Sequence, residues 1–545
     1  MAEPRRAASD GLAWPRWLAR AIVASAATLP FLPLLWAWYG ADDFYFVDRL
    51  THLEPGALAV ARAIFIDNLG TVGGFYRPLA MLSLYIDLHA GGGLAFVPHL
   101  VNVLLHAATS VAVFALARRL APEGRGLLAA VLAAVAFAVF PRRVEAVAWV
   151  SCRPDLLATL LVVLAARAAC ESSAAARVAT VTLWTASLLS KESTALMPVA
   201  LLAVRALTSR QGTPPRWRPW VISFGVAGIL TVLVRRVVVG EWIGGYRGQD
   251  ALPGLQGVVI AAKHLAYSFV PAIEQLADPL RSVSVNAVVT AVMAAFVAAI
   301  GATAWRLSAQ PGMRAGIAWF AAAVVPVLTF APSLSSPLND RLMYLPGVAI
   351  ALGVSAIDLA ARRSRRRAVV VVVLCMAVLT ALRAGNWPRA GAMTRSWLTS
   401  LGRLTSSAPA SCRIYIAGGP DSFRGAYMLR SGWDWGLAHV GKRPDEGRVQ
   451  PLALYYLAEP SVVPIAVTFE PPATVTVASA GRHPAVLPLA IPSIPGVSLL
   501  DIVPGGDRFG RVHRLVVRID APGVVVSPST SGPVVAGIVG ACGVR

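Results

Sequence analysis

Residues 21–44 read AIVASAATLPFLPLLWAWYGADDF, an apolar run that ends in two adjacent carboxylates. The run from Ala21 to Tyr39 matches the roughly 20 apolar residues that a helix needs to cross a bilayer. Basic residues precede it and no small-residue cleavage site follows, so we expect an uncleaved signal anchor. The first predicted span therefore leaves the membrane directly before Asp42 and Asp43.

The rest of the chain shows the same apolar character down to about residue 383. Of its 545 residues, 56% are hydrophobic and 14% are charged, whereas soluble proteins carry about 25% charged residues. Apolar segments lie at 21–39, 97–117, 126–140, 155–170, 178–190, 194–208, 219–239, 284–304, 315–331, 343–360 and 367–383. The pattern predicts an all-α polytopic membrane bundle with about eleven transmembrane helices. Residues 256–271 are predicted to be re-entrant or interfacial, and 79–88 to lie at the outer interface.

Three regions follow from this pattern: a cytoplasmic N-terminus (1–20), a membrane body (21–385) and a C-terminal domain (386–545). The last region begins with an amphipathic stretch, Trp387 to Leu404, and continues with short β-like runs punctuated by Gly and Pro. We expect an extracytoplasmic α+β or mostly β domain. Cys412 and Cys542 bracket it; they would pair in an oxidising compartment and remain free thiols otherwise.

The distribution of charge sets the predicted orientation. The formal net charge is +21, and most arginines outside the tail fall in alternate loops, which the positive-inside rule places in the cytoplasm. The N-terminus is then inside and residues 386–545 are outside. Since this bias accounts for the positive charge, no nucleic-acid partner is predicted. Acidic residues collect in the outer loops, which indicates a polar working face.

Several clusters at this outer face could carry chemistry. Asp42 and Asp43 are either reactive carboxylates or a hydrated helix end. The next loop carries three arginines, Arg142, Arg143 and Arg153. They either bind phosphate oxygens, for which a guanidinium is well suited, or pair with Glu145 and Asp155 inside their own loop.

Other outer-face clusters are smaller. Lys191 and Glu192 form either part of a site or a local ion pair. His99 and His106 share a helix face, as metal ligands or as buried polar groups. The remaining candidates are Tyr76, Arg77, Arg341 and Tyr344.

Four of these elements, in order, resemble the bacterial relatives of the transmembrane O-mannosyltransferases that carry TPR repeats. They are Tyr76-Arg77-Pro78-Leu79 with His99 to Ala107, Val144 to Asp155, Leu189 to Glu192, and Arg341 with Tyr344-Leu345-Pro346. The resemblance runs from about residue 35 to 350 and identifies the chain with the GT-C class of membrane glycosyltransferases. It implies a bacterial plasma-membrane enzyme that takes a sugar from a polyprenyl-phosphate donor at the outer face.

The resemblance also implies roles for individual residues. An acidic residue of the first outer loop, Asp42 or Asp43, acts as base, and Glu145 orients the arginines or the acceptor. Candidates for the donor phosphate are Arg77, Arg153, Lys191 and Arg341. The chain departs from the family where Arg142 and Arg143 replace two histidines, and no TPR array follows the last span.

The expected reaction is an inverting single displacement, with a membrane-lipid-linked sugar as donor. The acceptor is either a protein or a glycan, and the sequence does not distinguish the two. The sequence does not identify a cofactor either: a divalent cation is one alternative, but there is no clear metal motif. Two other classes compete with the enzyme. A transporter or flippase for lipid-linked sugars would show mid-membrane charges and internal repeats. A catalytically inactive scaffold of the same fold would present its outer domain, and the loss of the family's two histidines keeps this alternative open.

Overall fold

The first apolar run folds as helix α1, Arg16–Thr28, and continues as a 3-10 helix, Leu29–Trp36. Pro30 and Pro33 lie in this second part, and proline has no N–H to donate to the α-helical pattern. The computed structural model describes residues 15–70, 74–121, 126–209, 216–242, 255–270, 283–328, 339–356, 363–441, 447–457, 462–481, 485–489, 493–505, 511–529, 532–540 and 542.

The described part of the body is mostly helical. Its further helices are α2 Asp43–Thr51, α3 Ala57–Phe65, α4 Pro78–Ala90, α5 Phe96–Leu120, α6 Gly126–Ala138, α7 Val144–Ala148, α8 Arg153–Ala169, α9 Ala174–Leu188, α10 Met197–Thr208, α11 Trp217–Val239, α12 Leu255–Tyr267, α13 Val283–Arg306, α14 Pro311–Val324, α15 Gly347–Ser355, α16 Arg363–Ala384 and α17 Asn386–Ser407. Short 3-10 turns interrupt the chain at Pro141–Arg143, Val150–Cys152, Glu192–Thr194 and Asp340–Met343.

The prediction of eleven transmembrane helices is wrong. Among the described residues, four helical runs are long and apolar enough to cross a membrane: Arg16–Trp36, Phe96–Leu120, Trp217–Val239 and Arg367–Ser407. A fifth is a pair bent by 55°, Leu127–Ala138 with Pro141–Ala148. The chain is therefore a membrane protein with four or five recognisable spans in its described part.

Of the other apolar segments, 284–304 forms the 24-residue helix α13, and several form shorter helices. Helices α8, α9, α10 and α14 have 17, 15, 12 and 14 residues, below the roughly 20 that a span needs. Side chains of α8 such as Val162 and Ala166 are fully buried against other helices. A helix surrounded by protein is as apolar as one surrounded by lipid, so composition alone overcounts spans.

The region from residue 386 onward is an α/β unit with two sheets. After α17 come β1 Arg413–Ile416, β2 Gly419–Phe423, β3 Ala426–Tyr427, α18 Trp433–Val440, β4 Val449–Pro451, β5 Ala453–Leu457, β6 Ile465–Glu470, β7 Thr474–Ser479, β8 Val486–Pro488, β9 Val497–Pro504, β10 Val512–Ile519, β11 Gly523–Ser529 and β12 Gly532–Val539. The smaller sheet has the order β12-β11-β1-β4. The larger has the order β3-β2-β5-β8-β10-β7-β6, with β9 also pairing with β10.

The expected C-terminal β domain is confirmed in outline. The predicted β-like runs at Arg413, Val475 and Val512 correspond to β1, β7 and β10, and the run ending at Phe469 to β6. Cys412 and Cys542 form a disulfide with a Cα–Cα distance of 5.8 Å. This bond ties the beginning of β1 to the residues after β12, which closes the domain on itself.

Candidate active site

The Asp42-Asp43 loop follows the first span and turns at Ala41, whose φ of 51° is left-handed. Asp43 is buried and its carboxylate accepts hydrogen bonds from the Ser151 N–H (2.8 Å), the Ser151 hydroxyl (2.5 Å) and the Gly40 N–H (3.2 Å). Burial raises the pKa of the Asp43 carboxyl to about 7, although these hydrogen bonds act in the opposite direction. Asp43 therefore holds the loop in place through buried hydrogen bonds.

Asp42 has the opposite environment, because its side chain is exposed. It directly precedes α2, and one carboxylate oxygen accepts a hydrogen bond of 2.5 Å from the Ser431 hydroxyl. An exposed carboxylate held by one neighbour can be reached by an incoming hydroxyl group. The two adjacent acids, indistinguishable in the sequence, thus differ in what they can do.

Glu145 is the centre of a second polar network. Its Oε1 accepts from Arg341 Nη1 (2.5 Å), from the Tyr427 hydroxyl (3.0 Å) and from the Asn339 N–H (3.3 Å). Its Oε2 accepts from the Arg341 N–H (2.9 Å). With four donors around a buried carboxylate, Glu145 is suited to holding Arg341 in place.

Trp149 connects the two networks. Its indole N–H donates to the Gly40 carbonyl at 3.3 Å, next to the Asp43 loop. The Arg341 guanidinium lies over the Trp149 ring, 5.2 Å from its centroid, and the Tyr427 ring lies 4.4 Å away. The acids of the first loop and the Glu145–Arg341 pair therefore belong to one contiguous site.

The C-terminal domain supplies part of this site, which the sequence reasoning missed. Met428 O accepts a 2.8 Å hydrogen bond from the Ala41 N–H, beside Tyr427 and Ser431. A Cβ on Gly40 would lie 2.6 Å from Tyr427 O, so only glycine allows this approach. No local motif marks residues 427–431, because their role depends on docking of the domain against the first loop.

Lys191 and Glu192 do not pair with each other, as the sequence suggested, but each forms an ion pair with another residue. Lys191 Nζ pairs with Asp155 at 2.5 Å rather than with the adjacent Glu192. Glu192 instead forms two hydrogen bonds with Arg77, one of 2.9 Å from Arg77 Nε. Arg77 and Glu192 are partly exposed, whereas Lys191 and Asp155 are nearly buried.

Arg153 is fully buried and surrounded by acceptors. Its guanidinium donates to Asn102 Oδ1 (2.6 Å), Ser83 Oγ (2.6 Å) and Pro98 O (3.0 Å), and it pairs with Asp87 at 2.5 Å. These contacts join α4, α5 and the beginning of α8. They favour a positioning role over the predicted contact with a donor phosphate.

Arg142 and Arg143 are also buried and point into the protein. Arg142 pairs with Asp340 and donates to the Val270 carbonyl at 2.8 Å. Arg143 donates to Met343 O at 2.7 Å. Arg142 and Arg153 thus pair with distant acids and Arg143 donates to a distant carbonyl, so none of the three pairs with Glu145 or Asp155 as the local alternative expected.

The histidines of α5 lie inside the bundle, as buried polar groups. His106 contacts the Tyr344 hydroxyl through Nδ1 (2.7 Å) and the Ala138 carbonyl through Nε2 (3.0 Å), and His99 is fully buried. The Tyr76 hydroxyl donates to Phe65 O at 3.0 Å. In the described part of the chain, no group of three or more His, Cys, Asp or Glu side chains could hold a metal ion.

Tyr427→Phe tests the contribution of the C-terminal domain. Removing the hydroxyl leaves Glu145 with one donor fewer and loosens Arg341, so we expect a loss of about 0.5–1.5 kcal/mol in stability. Thermal unfolding of the purified chain measures this loss. Tyr455→Phe, at a buried tyrosine of β5, is the matched control. Equal stability of the two variants would contradict the proposed contact.

Comparison with known proteins supports the resemblance seen in the sequence. The chain is 42% identical over 92 residues (17% of this chain, 10% of the relative) to "Protein O-mannosyl-transferase Tmtc1" of Drosophila melanogaster. It is 32% identical over 154 residues (27% and 16%) to "Protein O-mannosyl-transferase TMTC1" of Mus musculus. The aligned part thus spans less than a fifth of either relative. No model of a known protein family matches the chain.

Solved structures with detectable similarity include two of Archaeoglobus fulgidus. One is an oligosaccharyltransferase in complex with Zn and sulfate, which has a TM-score of 0.39 and 13% identity, and the match covers 79% of this chain and 62% of that one. The other is the oligosaccharyltransferase AglB with an inhibitory peptide and a dolichol-phosphate, with a TM-score of 0.38 and 13% identity (78% and 64%).

The spans and the sequence similarity together define the class of this protein. It is an integral membrane protein with a C-terminal α/β domain. Over part of its length it is similar to the protein O-mannosyl-transferases, as the ordered motifs of its body indicated.

Proposed function

We propose that this chain is a glycosyltransferase that moves a sugar from a polyprenyl-phosphate donor to an acceptor at the outer face of the membrane. One observation carries the proposal: an exposed carboxylate, Asp42, lies on a loop that is fixed by Asp43 and joined through Trp149 to the Arg341–Glu145 pair. A carboxylate base and a positioned cation are the two groups that transfer from a lipid phosphate requires.

In the proposed reaction, the acceptor hydroxyl attacks the anomeric carbon of the sugar. Asp42 takes the hydroxyl proton, a bond forms between the acceptor oxygen and the anomeric carbon, and the bond from that carbon to the phosphate oxygen breaks. The lipid phosphate leaves with the electron pair, so no acid is needed to protonate it. A single displacement inverts the configuration at the anomeric carbon, in contrast to the two-carboxylate chemistry of retaining glycosidases.

The cations divide into two groups by exposure. The side chains of Arg341 and Arg77 are 14% and 16% exposed, so both can contact a phosphate as well as their own carboxylates. Arg153 and Lys191 are nearly buried in ion pairs. We therefore assign donor phosphate binding to Arg341 and Arg77, and positioning of the helices to Arg153 and Lys191.

The orientation is part of the proposal. The Cys412–Cys542 disulfide suits an oxidising compartment, which supports a C-terminal domain outside the cytoplasm. Ser406→Cys provides a test, because Ser406 is exposed near the end of α17. A membrane-impermeant thiol reagent should label this variant in intact cells. Labelling only after the inner face is opened would reverse the topology and place the site on the cytoplasmic side.

A donor assay tests the function itself. Membranes with the chain are supplied with radiolabelled sugar as polyprenyl phosphate, as polyprenyl diphosphate or as nucleotide sugar. Transfer or donor hydrolysis from the monophosphate alone is the expected result. Use of the nucleotide sugar alone would overturn the donor class, and turnover of none of the three would favour the inactive scaffold. Movement of intact donor across vesicles without turnover would favour the flippase.

A further inference from the structure

A groove of about 500 Å³ lies between the end of the first span and one face of α17. Trp36 and Trp38 form one wall, and Arg395, Ser396, Thr399 and Arg403 lie on the other. Neither the acidic loop nor the Glu145 network lines it. The groove is therefore a separate feature at the point where the chain leaves the membrane.

The two faces of α17 explain why the groove stays open. Trp397, Leu398 and Leu401 are buried and belong to the hydrophobic core that includes the C-terminal domain. Gly391 lies against the first span, and a Cβ there would be 2.7 Å from the Trp38 N. The helix is thus fixed on one side by the domain and at its base by the span, which leaves its polar face exposed.

The charge of the groove is uniformly positive. Arg395 and Arg403 are eight residues apart, about 12 Å along the helix, and both are exposed. Among the residues that the structure describes, no carboxylate lines the groove and neither guanidinium forms an ion pair. This contrasts with Arg77, Arg153 and Arg341, each of which has an acidic partner.

The chemistry of the lining suits a phosphate group. A guanidinium offers forked donors that match phosphate oxygens, and the hydroxyls of Ser396 and Thr399 lie on the same face. Arg395 also lies 6.0 Å from the Trp38 ring centroid, which helps to hold it at the groove wall. Two arginines without an acidic partner, beside hydroxyl groups, provide the donors that an anion needs.

The position of the groove indicates where the phosphate comes from. Leu29, Leu32 and Trp36 of the first span are exposed by 62%, 42% and 74%, so an apolar surface leads along this span to Trp36 in the groove wall. Tryptophan concentrates at the interface between hydrocarbon and water, where lipid phosphates lie. A lipid whose chain contacts this apolar surface would have its phosphate near Trp36 and Trp38, which line the groove together with Arg395 and Arg403.

We propose that this groove binds the phosphate headgroup of a membrane lipid, with the lipid chain against the exposed apolar surface of the first span. Two sources share this chemistry, a polyprenyl phosphate and an anionic phospholipid. The site is distinct from the Asp42 loop and its occupancy is measured without turnover. Lipid binding in this groove can therefore be measured independently of the transferase function.

The test is lipid binding to the purified full-length chain, measured by native mass spectrometry. Wild type is titrated separately with undecaprenyl phosphate, phosphatidylglycerol and inorganic phosphate. In the double variant Arg395→Gln/Arg403→Gln we expect at least a tenfold weaker affinity for the bound lipid, since two charge-assisted contacts are lost. Arg389→Gln is the matched control, because Arg389 is exposed on the same helix but outside the groove.

A second variant separates groove occupancy from charge alone. Ala392→Trp fills the groove while both arginines remain, and it should also weaken lipid binding at least tenfold. Thermal unfolding identifies any variant that has lost its fold. Whichever of undecaprenyl phosphate and phosphatidylglycerol binds more tightly to wild type is identified as the source of the phosphate group. Unchanged affinity for both lipids in both variants, or equal binding of inorganic phosphate and lipid by wild type, overturns the proposal.

Discussion

Asp42→Asn is expected to lower sugar transfer by about 10²–10⁴-fold, the usual cost of losing a general base. The substitution keeps the size of the side chain and can still accept from Ser431, but the amide cannot take a proton at neutral pH. Because Asp42 is exposed, the fold should be unaffected, with a stability change below about 0.5 kcal/mol. Transfer assays in membranes, together with thermal unfolding of the purified chain, measure both quantities.

Asp43→Asn is the informative comparison. Asp43 is buried and accepts from three donors, and an amide would direct its own N–H groups at one or more of them. We expect lower stability together with lower activity for this variant. If Asp42→Asn retained the wild-type rate while Asp43→Asn lost it without loss of stability, Asp43 would be the base. Wild-type rates in both single variants and in the double variant would remove these carboxylates from the reaction.

Glu145→Gln should have the largest effect on stability, about 3–5 kcal/mol, because it leaves the Arg341 charge without its buried partner. Transfer should fall as well, since the Arg341 guanidinium is no longer held over Trp149. Thermal unfolding and the donor assay provide the two measurements. Glu171→Gln, which breaks an exposed ion pair with Arg119 and Arg167, is the matched control and should cost less than about 1 kcal/mol.

A double-mutant cycle isolates the ion pair from other effects. Arg341→Met removes the charge that Glu145→Gln leaves unpaired, so the double variant should be more stable than the sum of the two single losses predicts. Activity should not recover, because the proposed phosphate contact is absent. Strictly additive losses of stability would show that Glu145 and Arg341 do not stabilise one another.

Sequence patterns were sufficient where the relevant physics is local. Apolar length located the spans at Phe96–Leu120 and Trp217–Val239, and helical spacing placed His99 and His106 in one helix. Alternation and Gly/Pro punctuation located β7 and β10. The same patterns overcounted spans, because a short helix buried by other helices satisfies the apolar criterion as well as a lipid-facing helix does.

Ion-pair partners could not be assigned in the same way. Arg142 and Asp340 are 198 residues apart, and Arg77 and Glu192 are 115 apart. Lys191 contacts Asp155 although Glu192 is its neighbour in the chain. A charge buried among helices pairs with the acid that packing brings to it, because an uncompensated buried charge is costly. Sequence proximity predicts such pairs only on the solvated surface.

The sequence by itself determined that this is a membrane protein, that a domain rich in β-strands follows the last span, and that two acids stand at the exit of the first span. These features depend on residue type and spacing along one segment. Only the tertiary structure decided that Asp43 is buried while Asp42 is exposed, that Tyr427 and Ser431 reach the acidic loop, and which arginines have acidic partners. The reason is physical: exposure, hydrogen-bond partners and pKa depend on which distant segments pack together, and one segment of chain does not contain that information.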